Sequence, residues 1–597
     1  MKKLVVLDIE CYPNYFLIAF KGLGTNKVIT VDTQSKLDTE QKRRIKSILN
    51  KYTTFGYNSI NYDIPMLTYA LNNASVNELY ELSKTIVEKG QPSWMSYRNL
   101  DLEELQIDHF DIKEPAPAVM ISLKNYGTRV GSKKLWDLPY NPHKRLNQEQ
   151  IENLKLYCEN DLDTTIDLYN AIKGRLQLRI DIGKEWNTDF RSKSDAQMAE
   201  EMFKLELAKN GKKIQYMKAK DRLAKHVEYK CPDFITFESK ELNEIKDLFD
   251  GSRFEINQGN GQPILPKEWT KFIKPKIGET VFKLGLGGIH SQEKKLSIKA
   301  NDKYVLRNAD IASMYPSIIL LLELYPTSLG KDFLSIYRKI YETRLKAKKT
   351  GDKLVNEGLK IALNGSYGKF GSFYSFLYAP DLMLTVTLTG QLMMLMLIEQ
   401  LEKNDFRVIS ANTDGVEYYC ERDRVDEAEA LIFDWELDTG MVMEHGEYQA
   451  LHAKDVNNYV AVYDGYVKSK GLYAETSLMK GRSTPIVYEA IRKYLLDGTS
   501  LQDTIYSCDD INEFVSGRTV NGGAEFQGKY LGKVVRWYYC KNSDGYIYYS
   551  KNGNKVPKTD GCCPLMDLPD EIPNNLNYQW YIEEAILKLN ELGVYYA

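Results

Sequence analysis

Residues 308–317 read Asn-Ala-Asp-Ile-Ala-Ser-Met-Tyr-Pro-Ser, and the interpretation of the chain starts from them. The preceding residues 303–307 are rich in β-forming side chains and predict a strand that ends near Asp310. A turn is predicted at Tyr315-Pro316, because the residue before a proline disfavours helical geometry. A carboxylate at a strand end beside exposed backbone can hold a divalent metal ion and a triphosphate. Taken alone, the pattern is more typical of a structural turn than of a metal site.

A second carboxylate strengthens the metal interpretation. Residues 409–419, Ile-Ser-Ala-Asn-Thr-Asp-Gly-Val-Glu-Tyr-Tyr, predict two strands joined by a turn that contains Asp414-Gly415. Two carboxylates on neighbouring strand tips can bracket a pair of Mg²⁺ ions for in-line phosphoryl transfer. Asp310 and Asp414 are therefore candidate catalytic residues and metal ligands.

Length and composition set the bounds of the interpretation. A chain of 597 residues is too long for one hydrophobic core and predicts three to five domains or subdomains. Its early charges argue against a signal peptide, and no long uninterrupted apolar run exists, so we expect an intracellular protein without a membrane partner. The eight cysteines lack Cys-x-x-Cys spacing, which argues against zinc or iron–sulfur sites and against a disulfide framework.

Four further carboxylates occur in the first 161 residues. The run Leu4–Glu10 predicts a buried strand, and Asp8 and Glu10 leave it on one face. Asp63 follows a polar turn, and Tyr157 and Asp161 share one face of a predicted helix. Such carboxylates, with a tyrosine nearby, can bind two metal ions and orient a water that hydrolyses a phosphodiester. Each carboxylate alone is equally compatible with surface charge or a helix cap.

A helical hairpin is predicted from two apolar-periodic segments that divide at Thr350-Gly-Asp352, with Asp352 as the N-cap of the second helix. Each helix spans ~20 residues, or roughly 30 Å. Lys360, Asn364 and Tyr367 are spaced i, i+4 and i+7 and therefore share one face. Without the neighbouring motifs, a solvated lysine and a core tyrosine explain this face equally well.

As a set, these motifs resemble those of family B DNA polymerases. Asp8-x-Glu10, Asn58-x-x-x-Tyr62-Asp63 and Tyr157-x-x-x-Asp161 are similar to the three motifs of the proofreading 3′→5′ exonuclease, in the same order. Ser122-Leu123-x-x-Tyr126 resembles that domain's single-strand-binding motif. The resemblance implies that the frayed primer end is held by Asn58, Tyr62, Ser122 and Leu123.

The polymerase motifs follow in family order. Asp310-x-x-Ser313-Met314-Tyr315-Pro resembles motif A, and Asn412-Thr413-Asp414 resembles motif C, with Asn in place of the usual first Asp. Lys360-x-x-x-Asn364-x-x-Tyr367-Gly resembles motif B. The resemblance implies that Asp310 and Asp414 hold the metal ions and that Tyr315 excludes a 2′-OH. The other implied contacts with the incoming nucleotide are Ser313, Met314, Arg344, Lys360, Asn364 and Tyr367.

Two motifs depart from the family pattern. Gly285-Leu-Gly287-Gly288 stands where a Tyr-x-Gly-Gly motif contacts the template, so only Gly287 and Gly288 match. Asn457-Asn-Tyr459 stands where the family has Lys-x-Tyr beside the primer terminus. The nearby Lys468, Lys470 and Arg482 could supply the missing phosphate contacts.

The implied fold is a multidomain combination of α/β and α+β structure, with an RNase H-like exonuclease domain followed by a right-hand polymerase. The predicted ranges are 1–187 for the exonuclease, 188–325 for the N-terminal palm with motif A, 326–370 for the fingers, 371–470 for the palm with motif C, and 471–597 for the thumb.

The resemblance implies a template-directed DNA polymerase with 3′→5′ proofreading that uses two Mg²⁺ ions per active site, for which Mn²⁺ can substitute. Its partners would be primer–template DNA, dNTPs and other replisome proteins such as a helicase or a single-strand-binding protein. The compact build resembles phage enzymes, which places the protein in the host cytoplasm. Asp310 and Lys360 are 50 positions apart and Lys360 and Asp414 are 54 apart, which leaves no room for the inserts of protein-primed members. We therefore expect no terminal protein.

Two alternatives remain at this point. One is a 3′→5′ exonuclease whose polymerase half has degenerated into a DNA-binding module, as the departures at Asn412, Gly285 and Asn457 allow. The other is a non-catalytic scaffold, against which the six carboxylates argue.

Overall fold

The structure is a computed structural model that describes residues 2–117, 121–212, 214, 221, 223–271 and 273–596. The chain forms two compact units. The first comprises Met1–Ser194, Thr476–Ile486 and Ser507–Tyr581; the second comprises Asp195–Glu475, Val487–Tyr506 and Ile582–Ala597. The predicted thumb range is thus divided between both units, and the finer division into five domains stays a prediction.

A five-stranded mixed sheet and seven helices form the N-terminal part of the first unit. The strands are β1 (Leu4–Tyr12), β2 (Tyr15–Gly22), β3 (Val28–Thr33), β4 (Thr53–Gly56) and β5 (His109–Asp111), in the order β3-β2-β1-β4-β5. Strands β1, β2 and β3 pair antiparallel, whereas β4 is parallel to β1 and β5 is parallel to β4. The helices are α1 (Thr39–Lys51), α2 (Asp63–Leu71), α3 (Val76–Lys89), α4 (Ser93–Asn99), α5 (Leu123–Val130), α6 (Gln148–Ala171) and α7 (Lys173–Trp186).

Strand β1 separates two hydrophobic cores because its side chains alternate between the sheet faces. Val5, Leu7 and Ile9 are buried in a core with residues of α1, α2 and α3. Val6 is buried in the opposite core, with residues of α5 and α6. Asp8 and Glu10 have the same parity as Val6 and therefore face α5 and α6. The predicted strand and its acidic face are confirmed.

The second unit contains thirteen strands, seven helices up to residue 439, and short 3₁₀ turns at Lys267–Lys271, Arg422–Arg424 and Gly471–Tyr473 within its described residues. The helices are α8 (Asp195–Lys209), α9 (Lys240–Phe249), α10 (Met314–Leu321), α11 (Lys331–Thr350), α12 (Lys353–Phe370), α13 (Pro380–Lys403) and α14 (Val425–Thr439). The strands are β6 (His226–Glu228), β7 (Arg253–Glu255), β8 (Lys276–Ile277), β9 (Thr280–Lys283), β10 (His290–Ser291), β11 (Leu296–Lys299), β12 (Tyr304–Ile311), β13 (Arg407–Asn412), β14 (Gly415–Glu421), β15 (Met443–Tyr448), β16 (Ala450–Asp455), β17 (Asn458–Val462) and β18 (Val467–Lys470).

An antiparallel seven-stranded sheet, in the order β15-β12-β14-β13-β10-β9-β8, carries residues 308–317 at one strand end. The predicted strand and the predicted β13–β14 hairpin are confirmed. The predicted turn at Tyr315-Pro316 is wrong, because α10 already begins at Met314. The chain turns earlier, at Ser313, which has a left-handed φ of 55°. A proline is tolerated in the first turn of a helix because its missing N–H has no intrahelical partner there.

The predicted helical hairpin is confirmed. Helix α11 ends with Gly351 at its C-cap, and the Asp352 side chain accepts a hydrogen bond from Val355 N and caps α12. A second antiparallel sheet, β11-β16-β17-β18, and the small β6–β7 pair complete the sheets of this unit among its described residues.

Helix α13 has the length and hydropathy of a membrane span, with 24 residues and a mean hydropathy of 1.6 in its most apolar window. In this structure 83% of that window is buried inside the protein. It is the only such helix in the described part of the chain. Burial from all sides explains its apolar composition.

The C-terminal elements are α15 (Pro485–Asp497), α16 (Leu501–Tyr506), a 3₁₀ turn (Ile511–Glu513), β19 (Ser516–Phe526), β20 (Lys529–Tyr539), β21 (Tyr548–Tyr549), β22 (Cys562–Pro564) and α17 (Tyr578–Glu591). Strands β21-β19-β20-β22 form a four-stranded sheet in the first unit. Cys540 and Cys563 form a disulfide there. The cysteine spacing argued against disulfides, and this prediction is wrong for this pair. Their pairing follows from the register, in which Cys563 lies opposite Tyr538, and a separation of 23 residues gives no sign of it.

We expect Leu395→Ala in α13 to destabilise the second unit by about 2–5 kcal/mol, because it opens a cavity at a side chain with no exposed surface. The matched control is Leu437→Ala on α14, where 68% of the side chain is exposed and the loss should be within about 0.5 kcal/mol. Differential scanning fluorimetry measures both. Equal melting temperatures for the two variants would contradict the burial of α13.

Candidate active sites

Three carboxylates of the first unit converge at the middle of β1. Asp8 and Glu10 project from the strand and Asp161 from α6, and one ligand oxygen from each lies within 4.8 Å of the others. This is the only such group of His, Cys, Asp or Glu among the residues that the structure describes. Cys158, one turn of α6 away, donates a hydrogen bond from Sγ to Asp8 Oδ2 at 3.5 Å. The sequence analysis predicted that these three carboxylates lie close together, and the structure confirms this proximity.

Asp63 adds a fourth carboxylate at the start of α2. The side chain is 2% exposed, and its Oδ1 has no hydrogen-bond partner in the described structure. Burial, with the charges of Asp8, Asp111 and Glu10, raises the pKa of Asp63 well above its usual value. A buried carboxylate oxygen without a partner is costly, and a divalent cation would satisfy it. The donor set therefore fits a metal site.

Burial also raises the pKa values of Asp8 and Glu10 in this cluster. Burial, together with the charge of Asp8, raises the pKa of Glu10 to about 8. Burial raises the pKa of Asp8 to about 6, although Lys124 opposes the shift. These carboxylates, of which Asp8 and Glu10 are half-buried, repel one another, so the cluster attracts any cation that can enter.

Sequence reasoning missed two residues of this site. Lys124 of α5 forms an ion pair with Asp161, and its Nζ lies 4.3 Å from the centre of the Tyr157 ring. Asp111, at the end of β5, accepts hydrogen bonds from the backbone N–H groups of Asn58 and Ile60 at 2.9 and 3.1 Å. The signal for Lys124 was its place within the Ser122-Leu123-x-x-Tyr126 motif, whereas Asp111 had no motif to mark it.

The four residues predicted to hold the primer end make contacts of their own within the protein. Asn58 has a left-handed φ of 59°, and its Oδ1 accepts from Lys113 Nζ at 2.8 Å. The Tyr62 hydroxyl bonds Ser83 Oγ at 2.9 Å, which occupies its polar end within the protein. Ser122 is the N-cap of α5 and Leu123 its first residue. Contact of these four residues with DNA stays a prediction.

The second unit holds Asp310 and Asp414 at neighbouring strand ends. Asp310 lies opposite Gly415 in the β12–β14 register, and Ile311 N donates to Asp414 O at 2.7 Å. A Cβ at position 415 would collide with Asp310 Oδ1, so any larger residue there would have to displace this carboxylate. Asn308 Nδ2 donates to Asp310 Oδ2 at 2.9 Å and orients it. Hard carboxylate oxygens in this arrangement fit Mg²⁺.

Neighbouring charges of both signs shift the pKa of Asp414. Burial and the charge of Asp310 raise the pKa of Asp414, whereas Lys470 and Lys468 lower it. Both lysines lie on β18, and neither forms an ion pair within the described residues. Glu417 of β14, which the sequence analysis missed, has one buried oxygen without a partner, and burial with the Asp310 charge raises its pKa to about 8.

The predicted nucleotide-binding residues lie at the start of α10 and on α11 and α12. The Tyr315 and Tyr367 rings are 4.5 Å apart between centroids. Arg344 Nη1 donates to Ser313 Oγ at 2.7 Å. Lys360 and Asn364 are exposed on α12. The predicted contacts that remain accessible are therefore Tyr315, Tyr367, Ser313, Arg344, Lys360 and Asn364.

Met314 is only 3% exposed, so its side chain is part of the core. A Cβ at Gly390 of α13 would lie 2.5 Å from Met314 Cε, which shows how closely the helix approaches this side chain. Only the backbone of Met314 is left to face a ligand.

The glycine loop predicted to contact the template lies beside Asp414. Thr413 N donates to Ile289 O at 2.8 Å, and a Cβ at Gly288 would lie 2.5 Å from Thr413 Oγ1. Gln391 of α13 donates to the carbonyls of Gly285 and Gly287 at 2.9 and 2.6 Å. Gly287 has open space around it, whereas Gly288 is fixed by this packing.

Arg482 and Tyr459, predicted to contact DNA, differ in their surroundings. Arg482 is 13% exposed in its side chain and donates to the carbonyls of Arg129 and Asn512 at 3.0 and 2.9 Å. These bonds use its guanidinium inside the first unit and leave little of it for a phosphate. Tyr459 of β17 is half-buried and lies opposite Lys470 in the β17–β18 register.

Comparison with known proteins shows a partial similarity to DNA polymerases. No family model matches it. It is 28% identical over 195 residues to DNA polymerase 1 of Sulfolobus acidocaldarius and 26% identical over 196 residues to DNA polymerase 1 of Sulfurisphaera ohwakuensis. Each match covers 31% of this chain, and the chain spans 21% of the length of each relative. The chain is therefore related, over about a third of its length, to DNA polymerases.

Proposed function

We propose that this chain is a template-directed DNA-dependent DNA polymerase of the family B type with an intrinsic 3′→5′ proofreading exonuclease. The observation that carries the proposal is that each compact unit has its own group of carboxylates: Asp8, Glu10, Asp63 and Asp161 in the first, and Asp310 and the more exposed Asp414 at neighbouring strand ends in the second. The partial similarity to two DNA polymerases supports the polymerase part of this proposal. The RNase H-like and right-hand architectures belong to this proposal.

At the polymerase site, Asp310 and Asp414 would hold two Mg²⁺ ions, for which Mn²⁺ can substitute. Divalent ions supply, at both sites, Lewis-acid stabilisation of phosphate oxygens and activation of the attacking oxygen. Exposed Lys360 and the nearby Arg344 would bind the triphosphate, and Tyr367 would pack on the new base pair. The unpaired Lys468 and Lys470 would contact backbone phosphates.

At the exonuclease site, Asp8, Glu10, Asp63 and Asp161 would hold the metal pair and Tyr157 would orient the attacking water. Asn58, Tyr62, Ser122 and Leu123 would position the 3′-terminal nucleotides. Extension would begin at a nucleic-acid 3′-OH without a terminal protein, since helices α11 and α12 fill most of the 50 positions between Asp310 and Lys360.

Asp414→Asn should reduce primer extension by at least ~10²–10³-fold, because it removes one of two charged metal ligands. Degradation of single-stranded DNA should continue at the rate of the unaltered protein, because its carboxylates belong to the other compact unit. A 5′-labelled primer, resolved on a gel with and without dNTPs, measures both activities. Full extension by the variant would remove Asp414 from the site.

The converse variant combines Asp8→Ala with Glu10→Ala. We expect 3′→5′ degradation to be lost and extension to be kept, with no loss of stability, because removing two crowded carboxylates relieves repulsion. Asp181→Ala, which removes a carboxylate that pairs with Lys184 on the surface of α7, is the control. Degradation that persists in the double variant would place the nuclease elsewhere. A double variant that loses extension as well would contradict separate sites.

Tyr315→Val should weaken the preference for dNTPs over rNTPs by about 10–200-fold, the range expected when a pocket wall recedes by a few carbon atoms. The Tyr315 ring is held against Tyr367 and would fill the space that a 2′-OH needs. Single-turnover incorporation measures the ratio, and Tyr374→Val, at a 76% exposed ring, is the control. An unchanged ratio in Tyr315→Val would remove the ring from this role.

A further inference from the structure

One cation lies inside the N-terminal carboxylate cluster. The Lys124 ammonium pairs with Asp161, and their side chains are 16% and 9% exposed. The same ammonium lies 4.3 Å from the centre of the Tyr157 ring, whose electron-rich face favours a positive charge. Asp8 and Glu10 also experience its charge. Lys124 thus occupies a place where the cluster attracts a cation.

This ion pair is more buried than some other lysine pairs of the first unit. Lys155, for example, pairs with Asp32 and Glu152 near the surface, where 27% of its side chain is exposed. Lys124 instead faces three carboxylates of the cluster, Asp8, Glu10 and Asp161, with a single positive charge. A buried charge is retained only where a partner offsets its desolvation, and here the negative charges remain in excess.

We propose that Lys124 is a built-in counter-cation that competes with a divalent metal ion for Asp161. This inference rests on the proposed exonuclease function. In the absence of a metal ion, the ammonium holds Asp161 and limits repulsion within the cluster. A metal ion bound by Asp161 must either share the carboxylate charge with the ammonium or displace the ammonium from Oδ1. Lys124 therefore sets the metal concentration that the site requires.

Two effects with opposite signs follow from this single charge. Removing it should tighten metal binding, because the competitor is gone and one positive charge no longer repels the ion. It should also destabilise the metal-free protein, because the carboxylates lose their counter-charge. A lysine that only filled space would produce neither effect.

The test measures Mn²⁺ binding by isothermal titration calorimetry in a parent protein that carries Asp310→Asn and Asp414→Asn, so that the polymerase site contributes little. Lys124→Met and Lys124→Gln should bind Mn²⁺ at least roughly tenfold more tightly than the parent, because a unit charge a few ångströms from a divalent ion is worth that much. Lys124→Arg, which keeps the charge, and Lys155→Met, the matched control, should remain within about twofold of the parent.

Thermal unfolding supplies the second readout. In EDTA the neutral variants should melt below the parent, and Mn²⁺ should raise their melting temperature by more than it raises the parent's. If the neutral variants fold only with Mn²⁺ present, the proposal is supported, since the metal then replaces the missing charge. If they fail to fold under both conditions, Lys124 is a structural residue and the proposal is wrong.

Two binding results would overturn the inference in distinguishable ways. If the parent binds Mn²⁺ and the neutral variants bind it equally or more weakly, Lys124 does not compete with the metal, and the exonuclease proposal is unaffected. If the parent binds no Mn²⁺, and Asp8→Ala in the same background changes nothing, both this inference and the proposed exonuclease fail.

Discussion

Repulsion between crowded carboxylates is the constraint on which both sites depend. Two like charges 4 Å apart cost about 4 kcal/mol at the effective dielectric of a protein surface, so a fold keeps such groups together only where cations or bound protons offset the repulsion. The structure meets this constraint differently at each site. Lys124 lies among Asp8, Glu10 and Asp161, whereas Lys468 and Lys470 act on Asp310 and Asp414 from a separate strand. At the first site the negative charge remains in excess, and at the second the two lysines lie on a separate strand from the carboxylates and form no ion pair with them among the described residues, so both sites can accept a metal ion.

The backbone imposes this crowding through strand geometry. Alternation along β1 places Asp8 and Glu10 on one face, opposite Leu7 and Ile9, and helix α6 supplies Asp161 across a hydrophobic core. In the second unit, Gly415 removes the side chain that would collide with Asp310. The packed cores therefore stabilise the carboxylates in positions that their mutual repulsion opposes.

The features that could be predicted from the sequence are those that depend on residues close together in the chain. The carboxylate positions followed from strand and helix periodicity, and the α11–α12 division followed from a glycine and a capping aspartate. Residues that act across the chain gave no such signal: Glu417 and Asp111 reach their sites through strand register, and Cys563 meets Cys540 through the β20–β22 pairing. Arg482 was predicted as a DNA contact from its basic neighbourhood, but internal carbonyls bind its guanidinium. Charge near a motif does not distinguish a solvent-facing arginine from a buried one.

The central claim is that one chain both removes and adds nucleotides at a primer end, and a doubly labelled mismatched primer tests it most directly. The primer carries one label at its 5′ end and another on a mismatched 3′-terminal nucleotide, and it is annealed to a longer template with dNTPs and Mg²⁺. The account predicts release of the 3′ label as a mononucleotide before the 5′-labelled strand is extended to the template end. Extended product that keeps the 3′ label would contradict proofreading, and release of the 3′ label without any template-dependent extension would contradict the polymerase.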